Sequence, residues 1–311
     1  MKKLVTIALA VMLVAMAACA SAATVGICQL VQHVALDQAT QGFKDALVAK
    51  MPDVEFDEQN ASGDAVNCAT ITNTFASNGV DLIMANATPA LQAAVAATGD
   101  IPILATSITE YGVALDIENF SGVTGMNVSG TSDLAPLDEQ AAMIKELFPD
   151  AKKVGLLYCS AEANSIYQVE TVKADLEGKG LTCTLYPFSD TNDLTAITQK
   201  AADESDVIYI PTDNQAASAT ETINSVCEAA GTPVIAGEEG ICKGCGVATL
   251  SISYYDLGVT TGKMAAKILK GEEDISTMPI AYAENFTKKY NAEICQKLEL
   301  TAPEDYVAIG E

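Results

Sequence analysis

The sequence predicts an α/β protein made of two doubly wound parallel-sheet lobes. Three observations carry this. From Thr24 onward, short apolar runs alternate with segments of helical periodicity, the pattern of parallel strands covered on both faces. The alternation restarts near residue 136. Two segments also echo each other. Asp81-Leu82-Ile83-Met84-Ala85-Asn86-Ala87-Thr88, a helix and Pro102-Ile103-Leu104-Ala105 resemble Asp206-Val207-Ile208-Tyr209-Ile210-Pro211-Thr212, a helix and Pro233-Val234-Ile235-Ala236.

The elements follow in order. Thr24–Leu30 reads as a strand, Leu36–Met51 as a helix, Val54–Asp57 as a strand and Ala65–Ser77 as a helix. Val80–Ala85 is a buried strand, Pro89–Thr98 a helix of small residues and Ile101–Ala105 another buried strand. In the second half, Pro136–Phe148, Asn164–Lys179, Leu194–Ala202 and Gln215–Ala230 are helices. Lys153–Tyr158, Leu181–Phe188, Val207–Ile210, Pro233–Ala236 and Val247–Ile252 are strands. Tyr255–Lys270 is an amphipathic helix that Gly271 stops.

Composition limits the function. The 311 residues carry 41 acidic and 17 basic side chains, a net charge of -24, and contain neither arginine nor tryptophan. Nucleic acid and anionic membranes would be repelled. Lys2 and Lys3, the apolar run Leu4–Ala18 and the small-x-small sequence Ala20-Ser21-Ala22 read as an export signal. Residues 1–22 are therefore expected to be a leader and the protein to be periplasmic or otherwise extracytoplasmic. Lipidation at Cys19 is the rival reading. Soluble export is preferred because a strand begins at Thr24, leaving little tether.

Of nine cysteines, only Cys19 precedes the cleavage site. An even mature number in an exported chain favours disulfides. Cys242 and Cys245 are accordingly expected to be a loop staple or to pair with other cysteines. A zinc site would need partners that a chain with one histidine does not supply. No metal or cofactor is expected.

Ligands of open parallel sheets bind beyond the carboxyl ends of the strands. Gln29 and His33 follow the first strand, Asn86 and Thr88 the third, and Thr106, Ser107 and Thr109 the fourth. Thr88 is expected to cap a helix with Pro89 in its first position. Ser160, Glu162, Asn164 and Ser165 follow a strand of the second half; Thr212, Asp213 and Asn214 follow another, and Glu238, Glu239 and Gly240 a third. Each hydroxyl alone can be a cap. As a set, hydroxyls gather in the first half and acids in the second, which suits a zwitterion such as an amino acid. Its carboxylate would meet helix N-termini and hydroxyls. Its ammonium would meet Asp213, Glu239 or both. Without arginine there is no guanidinium clamp, so phosphorylated or dianionic ligands are disfavoured.

These residues resemble a known family. Gly26-Ile27-Cys28-Gln29, His33-Val34-Ala35-Leu36-Asp37, Ala87-Thr88-Pro89-Ala90, Gly130-Thr131-Ser132-Asp133, Ser160-Ala161-Glu162-Ala163-Asn164-Ser165, Pro211-Thr212-Asp213-Asn214, Glu238-Glu239-Gly240 and Tyr254-Tyr255-Asp256-Leu257-Gly258 occur in this order. From Val25 to about Asn291 the chain resembles ABC-transporter substrate-binding proteins of the tryptophan/tyrosine type, which have the type I periplasmic-binding fold. The resemblance implies a monomeric receptor, not an enzyme, that closes on an amino acid, often aromatic, and delivers it to an ABC permease. It implies carboxylate recognition at Thr88, Thr106 and Ser107, aided by Asn164 and Ser165, and ammonium recognition at Glu239. It implies a multi-strand hinge at Gly130, Ser253 and Tyr254 and near residues 279–282. The lobes would then be 24–128 plus 253–278 and 129–252 plus 279–311.

Other classes lack their motifs. No GxGxxG, GxxxxGK[ST] or GxSxG occurs, so dinucleotide, nucleotide and hydrolase sites have no loop. His33 is read as a cleft contact rather than a base. A sensory receptor shares the same cleft. A branched-chain or other small amphiphilic ligand is the first alternative. The enzyme alternative is a racemase-like pair of thiols, Cys28 and Cys159, each closing the first strand of a lobe.

Overall fold

The computed structural model describes residues 22–310. Residues 1–21, which hold most of the expected leader and Cys19, lie outside it. Strands and helices are numbered separately in chain order. The first sheet contains β1 (Thr24–Gln29), β2 (Glu55–Asn60), β3 (Leu82–Asn86), β4 (Ile103–Ile108) and β5 (Val128–Ser132), and later β11 (Ala281–Tyr282). Its helices are α1 (Val34–Lys50), α2 (Ala65–Asn78), α3 (Thr88–Ala97) and α4 (Tyr111–Leu115). The second sheet contains β6 (Lys153–Cys159), β7 (Thr182–Phe188), β8 (Val207–Ile210), β9 (Val234–Ala236) and β10 (Ala248–Ser251), then β12 (Thr287–Tyr290) and β13 (Val307–Ala308). Its helices are α5 (Leu137–Leu147), α6 (Ala163–Gly178), α7 (Leu194–Glu204), α8 (Asn214–Ser218), α9 (Thr220–Ala230), α10 (Glu239–Cys245) and, near the end, α12 (Ala292–Lys297). Between them runs α11 (Tyr254–Leu269).

The strand orders explain the internal echo. The first sheet runs β11-β5-β4-β3-β1-β2 and is parallel throughout. The second runs β13-β12-β10-β9-β8-β6-β7 and is parallel except where β10 meets β12. Counted from its own first strand, each lobe has the order 2-1-3-4-5, so the repeated segments are β3–β4 and β8–β9.

Continuous apolar strands follow from burial on both faces. Ile83 and Ala85 point to a core shared with Phe75 and Leu91, while Leu82 and Met84 point to one shared with Phe43 and Met264. In the second lobe Leu156 and Leu157 divide in the same way. Each fully buried side chain of this size contributes about 1.5–3 kcal/mol by leaving water. At the edge, β2 carries Glu55, Asp57 and Glu58, charges that blunt edge-to-edge pairing.

The chain passes between lobes three times, at 133–136, 252–253 and 283–286. After the second passage α11 returns to the first lobe and packs along α1 and beside β4 and β5. Gly258 permits this approach, because a Cβ there would overlap the Ala39 carbonyl oxygen.

Some elements depart from expectation. β5 was not foreseen in the stretch after Ala105. It belongs wholly to the first sheet, whereas the expected second lobe began at residue 129, inside this strand. The expected helix Gln215–Ala230 is two helices, broken at Ala219, where the Ser218 hydroxyl turns back to the Gln215 carbonyl. Thr88 opens α3 instead of capping it, and Ala87 is the cap with φ +90°.

Candidate ligand-binding cleft

The lobes touch across the carboxyl ends of their strands. His33 Nε2 lies 3.3 Å from Asn214 Oδ1, and Gln215 Nε2 donates to the Gly63 carbonyl at 2.9 Å. Between the lobes is a small cavity of about 10 Å³. The first lobe lines it with His33, Leu36, Ser107, Thr109, Asp133 and Tyr254; the second with Asn164, Thr212, Asp213, Asn214, Ala217 and Glu238. No lysine is among them.

Polar groups in this cavity divide into engaged and unengaged. Asp213 Oδ1 caps α8 by accepting from Ala216 N at 2.8 Å, and Oδ2 accepts from Cys159 N at 2.6 Å. Behind it, Glu162 accepts from Asn214 N, Asn214 Nδ2, Gln215 N and Asn164 Nδ2. Glu238 caps α10, accepting from the amides of Gly240 and Ile241. Burial raises all three carboxyls. Glu162 reaches about 7, with Asp213 adding to the rise, and Glu238 also reaches about 7. These acids hold the second lobe's helix starts in place.

Four buried atoms on the cavity wall have no partner: His33 Nδ1, Ser107 Oγ, Asp133 Oδ1 and Asn164 Oδ1. Such atoms cost stability unless a ligand or water satisfies them. Their chemistry is readable. Asn214 spends its amide nitrogen on Glu162, so its Oδ1 accepts from the His33 Nε2 hydrogen and His33 Nδ1 presents a lone pair. Burial lowers the His33 pKa, keeping the ring neutral. Asn164 Nδ2 is engaged by Glu162, Ser165 and Thr212, so its free atom is the carbonyl oxygen. Asp133 takes the Tyr254 hydroxyl on Oδ2 at 2.9 Å, and burial raises its carboxyl against the pull of Tyr254 and Thr109. Three of the four free atoms are thus acceptors, and Ser107 Oγ offers a hydroxyl.

The residues singled out in the sequence separate into groups. His33, Ser107, Thr109, Asn164, Asp213 and Asn214 line the cavity. Ser165 lies just behind it, hydrogen-bonded to Asp213. Gln29 and Asn86 instead join Thr40, Asp37 and Leu36, locking the start of α1 to the sheet. Thr106 bonds to Thr131, which meets Thr261 of α11, and Thr88 is buried at the head of α3. Glu239 turns away from the cavity, pairing with Lys289 at 2.7 Å and accepting from Ser251. Of the expected hinge residues, Ser253 caps α11 and Tyr254 begins it. Gly130 lies within β5 at φ +147°, where a Cβ would strike the Ala105 carbonyl.

Glu238 was among the strand-end residues expected near the ligand and Tyr254 was expected in the hinge; both line the cavity, as does Asp133, which was passed over. The signal existed for Asp133. It immediately follows β5, and the rule applied to the other strands would have selected it had that strand been recognised.

The cysteines differ from expectation. The eight described cysteines are free thiols, so Cys242 and Cys245 are not linked. They stand one turn apart on α10, and their thiols reach the carbonyls of Gly246 and Ile241. Cys28 and Cys159 are buried in the cores and do not line the cavity, which removes the geometry a two-thiol racemase needs.

Comparison with known proteins agrees with this architecture. The family model for ABC transporter substrate binding proteins matches residues 24–309. A tyrosine-binding protein from Clostridioides difficile is 32% identical over 283 residues, covering 89% of this chain and 81% of that protein. An ABC domain from Streptococcus pneumonia in complex with L-Trp is 34% identical with a TM-score of 0.87, covering 91% of this chain and 97% of that one. A ligand-free, open substrate-binding protein with adhesive properties from Clostridium difficile is also 34% identical, but its TM-score is 0.69 over 92% of this chain and 99% of that one.

Proposed function

Because the chain belongs to the ABC transporter substrate-binding proteins, we propose that it is an extracytoplasmic receptor for an aromatic amino acid, which it delivers to a membrane permease. Export by the leader and a monomeric, non-catalytic state complete the reading. One observation carries the ligand class: the cavity wall presents three unpartnered acceptors, Asp133 Oδ1, Asn164 Oδ1 and His33 Nδ1, and no lysine. A primary ammonium has three N–H donors and a positive charge, matching that set. The Ser107 hydroxyl then serves the carboxylate together with backbone N–H groups.

Closure supplies the mechanism. Asp133, His33 and Ser107 belong to the first lobe and Asn164 to the second, so a ligand satisfies all four only when the lobes meet. That differential affinity drives the closed form. The better superposition on the L-Trp complex than on the open relative, at equal identity, supports a closed arrangement. The lobe division proposed for this motion places residues through Asp133, whose amide donates to the Ile108 carbonyl, with the first lobe.

A second reading, a non-aromatic amino acid, draws on a different observation. Tyr254 is the sole aromatic residue on the cavity wall, and its hydroxyl is taken by Asp133. Titration calorimetry of refolded protein with tyrosine, phenylalanine, tryptophan, leucine and valine decides between them. We expect the aromatic amino acids to bind and their amino-acetylated forms not to bind. Preference for leucine or valine replaces the aromatic assignment, and binding of the acetylated forms refutes ammonium recognition.

A further inference from the structure

Two of the three free acceptors on the cavity wall, Asn164 Oδ1 and His33 Nδ1, owe their polarity to one carboxylate that does not line the cavity. Glu162 stands at the cap position of α6, yet its side chain makes no cap there. It is buried and turns toward the start of α8. There it accepts four hydrogen bonds, from Asn214 Nδ2 at 2.6 Å, Gln215 N at 3.0 Å, Asn214 N at 3.1 Å and Asn164 Nδ2 at 3.2 Å. We propose that Glu162 is a positioning residue for ligand selectivity: by claiming the side-chain nitrogens of Asn164 and Asn214 it makes the cleft wall accept hydrogen bonds rather than donate them. The proposal rests on the amino-acid reading above and identifies the group that enforces it.

The influence runs along two branches. An asparagine amide can present its oxygen or its nitrogen, and its partners decide which. On the near branch, Glu162 and the Thr212 carbonyl, 3.1 Å away, both take Asn164 Nδ2, which leaves Oδ1 for the ligand. On the far branch, Glu162 takes Asn214 Nδ2, so Asn214 Oδ1 meets His33 Nε2 of the first lobe at 3.3 Å and requires a hydrogen there. A neutral imidazole carries one ring hydrogen, so Nδ1 stays bare. The second lobe thereby fixes the tautomer of a first-lobe ring, and does so only when the lobes meet.

Only a carboxylate without its proton takes all four bonds. Glutamine would set its own amide hydrogens against Asn214 N or Gln215 N, backbone donors that cannot turn round. The asparagine side chains would then be released to turn, and His33 to move its hydrogen to Nδ1. The wall would offer donors where an ammonium needs acceptors.

Selectivity separates this role from a merely structural one. Calorimetry compares L-tyrosine with its hydroxy-acid analogue, which carries a hydroxyl in place of the ammonium, in the refolded parent, E162Q and N214A. Leucine and its own analogue replace them if leucine is the ligand. N214A keeps the carboxylate and cuts only the far branch, so it decides the matter should E162Q fail to fold. The parent's preference for the amino acid over the analogue should fall about 10-fold in either variant. An unchanged preference, or equal weakening of both ligands, overturns the proposal. His33 is the only histidine of the chain, so the ring-nitrogen resonances of the ligand-saturated protein report its tautomer alone. The hydrogen should sit on Nε2 in the parent, and in N214A the Nδ1 resonance should move toward that of a protonated nitrogen. A hydrogen on Nδ1 in the parent, or a ring unchanged in N214A, also overturns the proposal. If the parent binds no amino acid, the receptor reading fails and takes this proposal with it; if the parent binds, each adverse result falls on Glu162 alone.

Discussion

The two lobes share one strand order yet use their polar residues differently at the cleft. In the second lobe, Glu162, Asp213 and Glu238 are buried carboxylates whose oxygens are taken by backbone amides and by Asn164 and Asn214. In the first lobe, Asp133, His33 and Ser107 each hold a buried atom back. Acid content therefore does not identify the ligand-binding carboxylate. The distinguishing property is unused hydrogen-bonding capacity, because a buried acceptor without a partner is tolerated where a ligand completes it.

Four experiments sharpen or break that comparison. The largest effect should come from D133N in the first lobe. Ligand affinity measured by calorimetry should fall about 100-fold or more, since a buried charge partner of the ammonium is lost. The unliganded melting temperature should hold or rise, because an unpaired buried charge is also removed. Unchanged affinity would dissolve the distinction between the lobes.

In the second lobe D213A should act on stability. It removes a helix cap and orphans the Cys159 amide, so chemical denaturation should show a loss of about 2–4 kcal/mol. A variant as stable as the parent would show that the carboxylate is free for a ligand after all.

Acidity should separate the lobes next. The folded pKa values of Glu162 and Glu238 lie above the unfolded value, near 7 against 4.5. The stabilisation tied to their protonation is full below about pH 4.5 and is lost as pH rises through about 7. The unliganded protein should lose roughly 1–3 kcal/mol per group across that window. E238Q should flatten part of the slope; an identical slope would assign the pH dependence to other groups.

The smallest effect belongs to E239Q. Glu239 is half-exposed and paired with Lys289 outside the cavity. Ligand affinity should change less than about two-fold, and stability by no more than about 1 kcal/mol. A large loss of binding would restore the ammonium role that the sequence suggested.

Much of the fold was legible because strand and helix periods are local properties. Continuous apolar runs such as Val207–Ile210, alternating with helices, read as strands of a parallel sheet buried on both faces, and the Asp-strand-Thr-helix-Pro-strand echo indicated two lobes of like topology. β5 escaped notice because Val128-Ser129-Gly130-Thr131-Ser132 is mostly polar or small. It is a strand because β4 supplies its hydrogen bonds, while Met278 and Thr106 engage its hydroxyls.

The sequence alone determined the α/β class, the two-lobe repeat and the rule that ligand contacts follow strand ends, since each depends on near neighbours along the chain. Tertiary structure decided which polar residues are free to act. Glu238 and Glu239 are adjacent in sequence, yet one caps α10 beside the cavity and the other pairs with Lys289 outside it. Asp133 meets Tyr254 across 121 positions. Hydrogen-bond saturation depends on partners brought in from distant segments, and no local pattern encodes that.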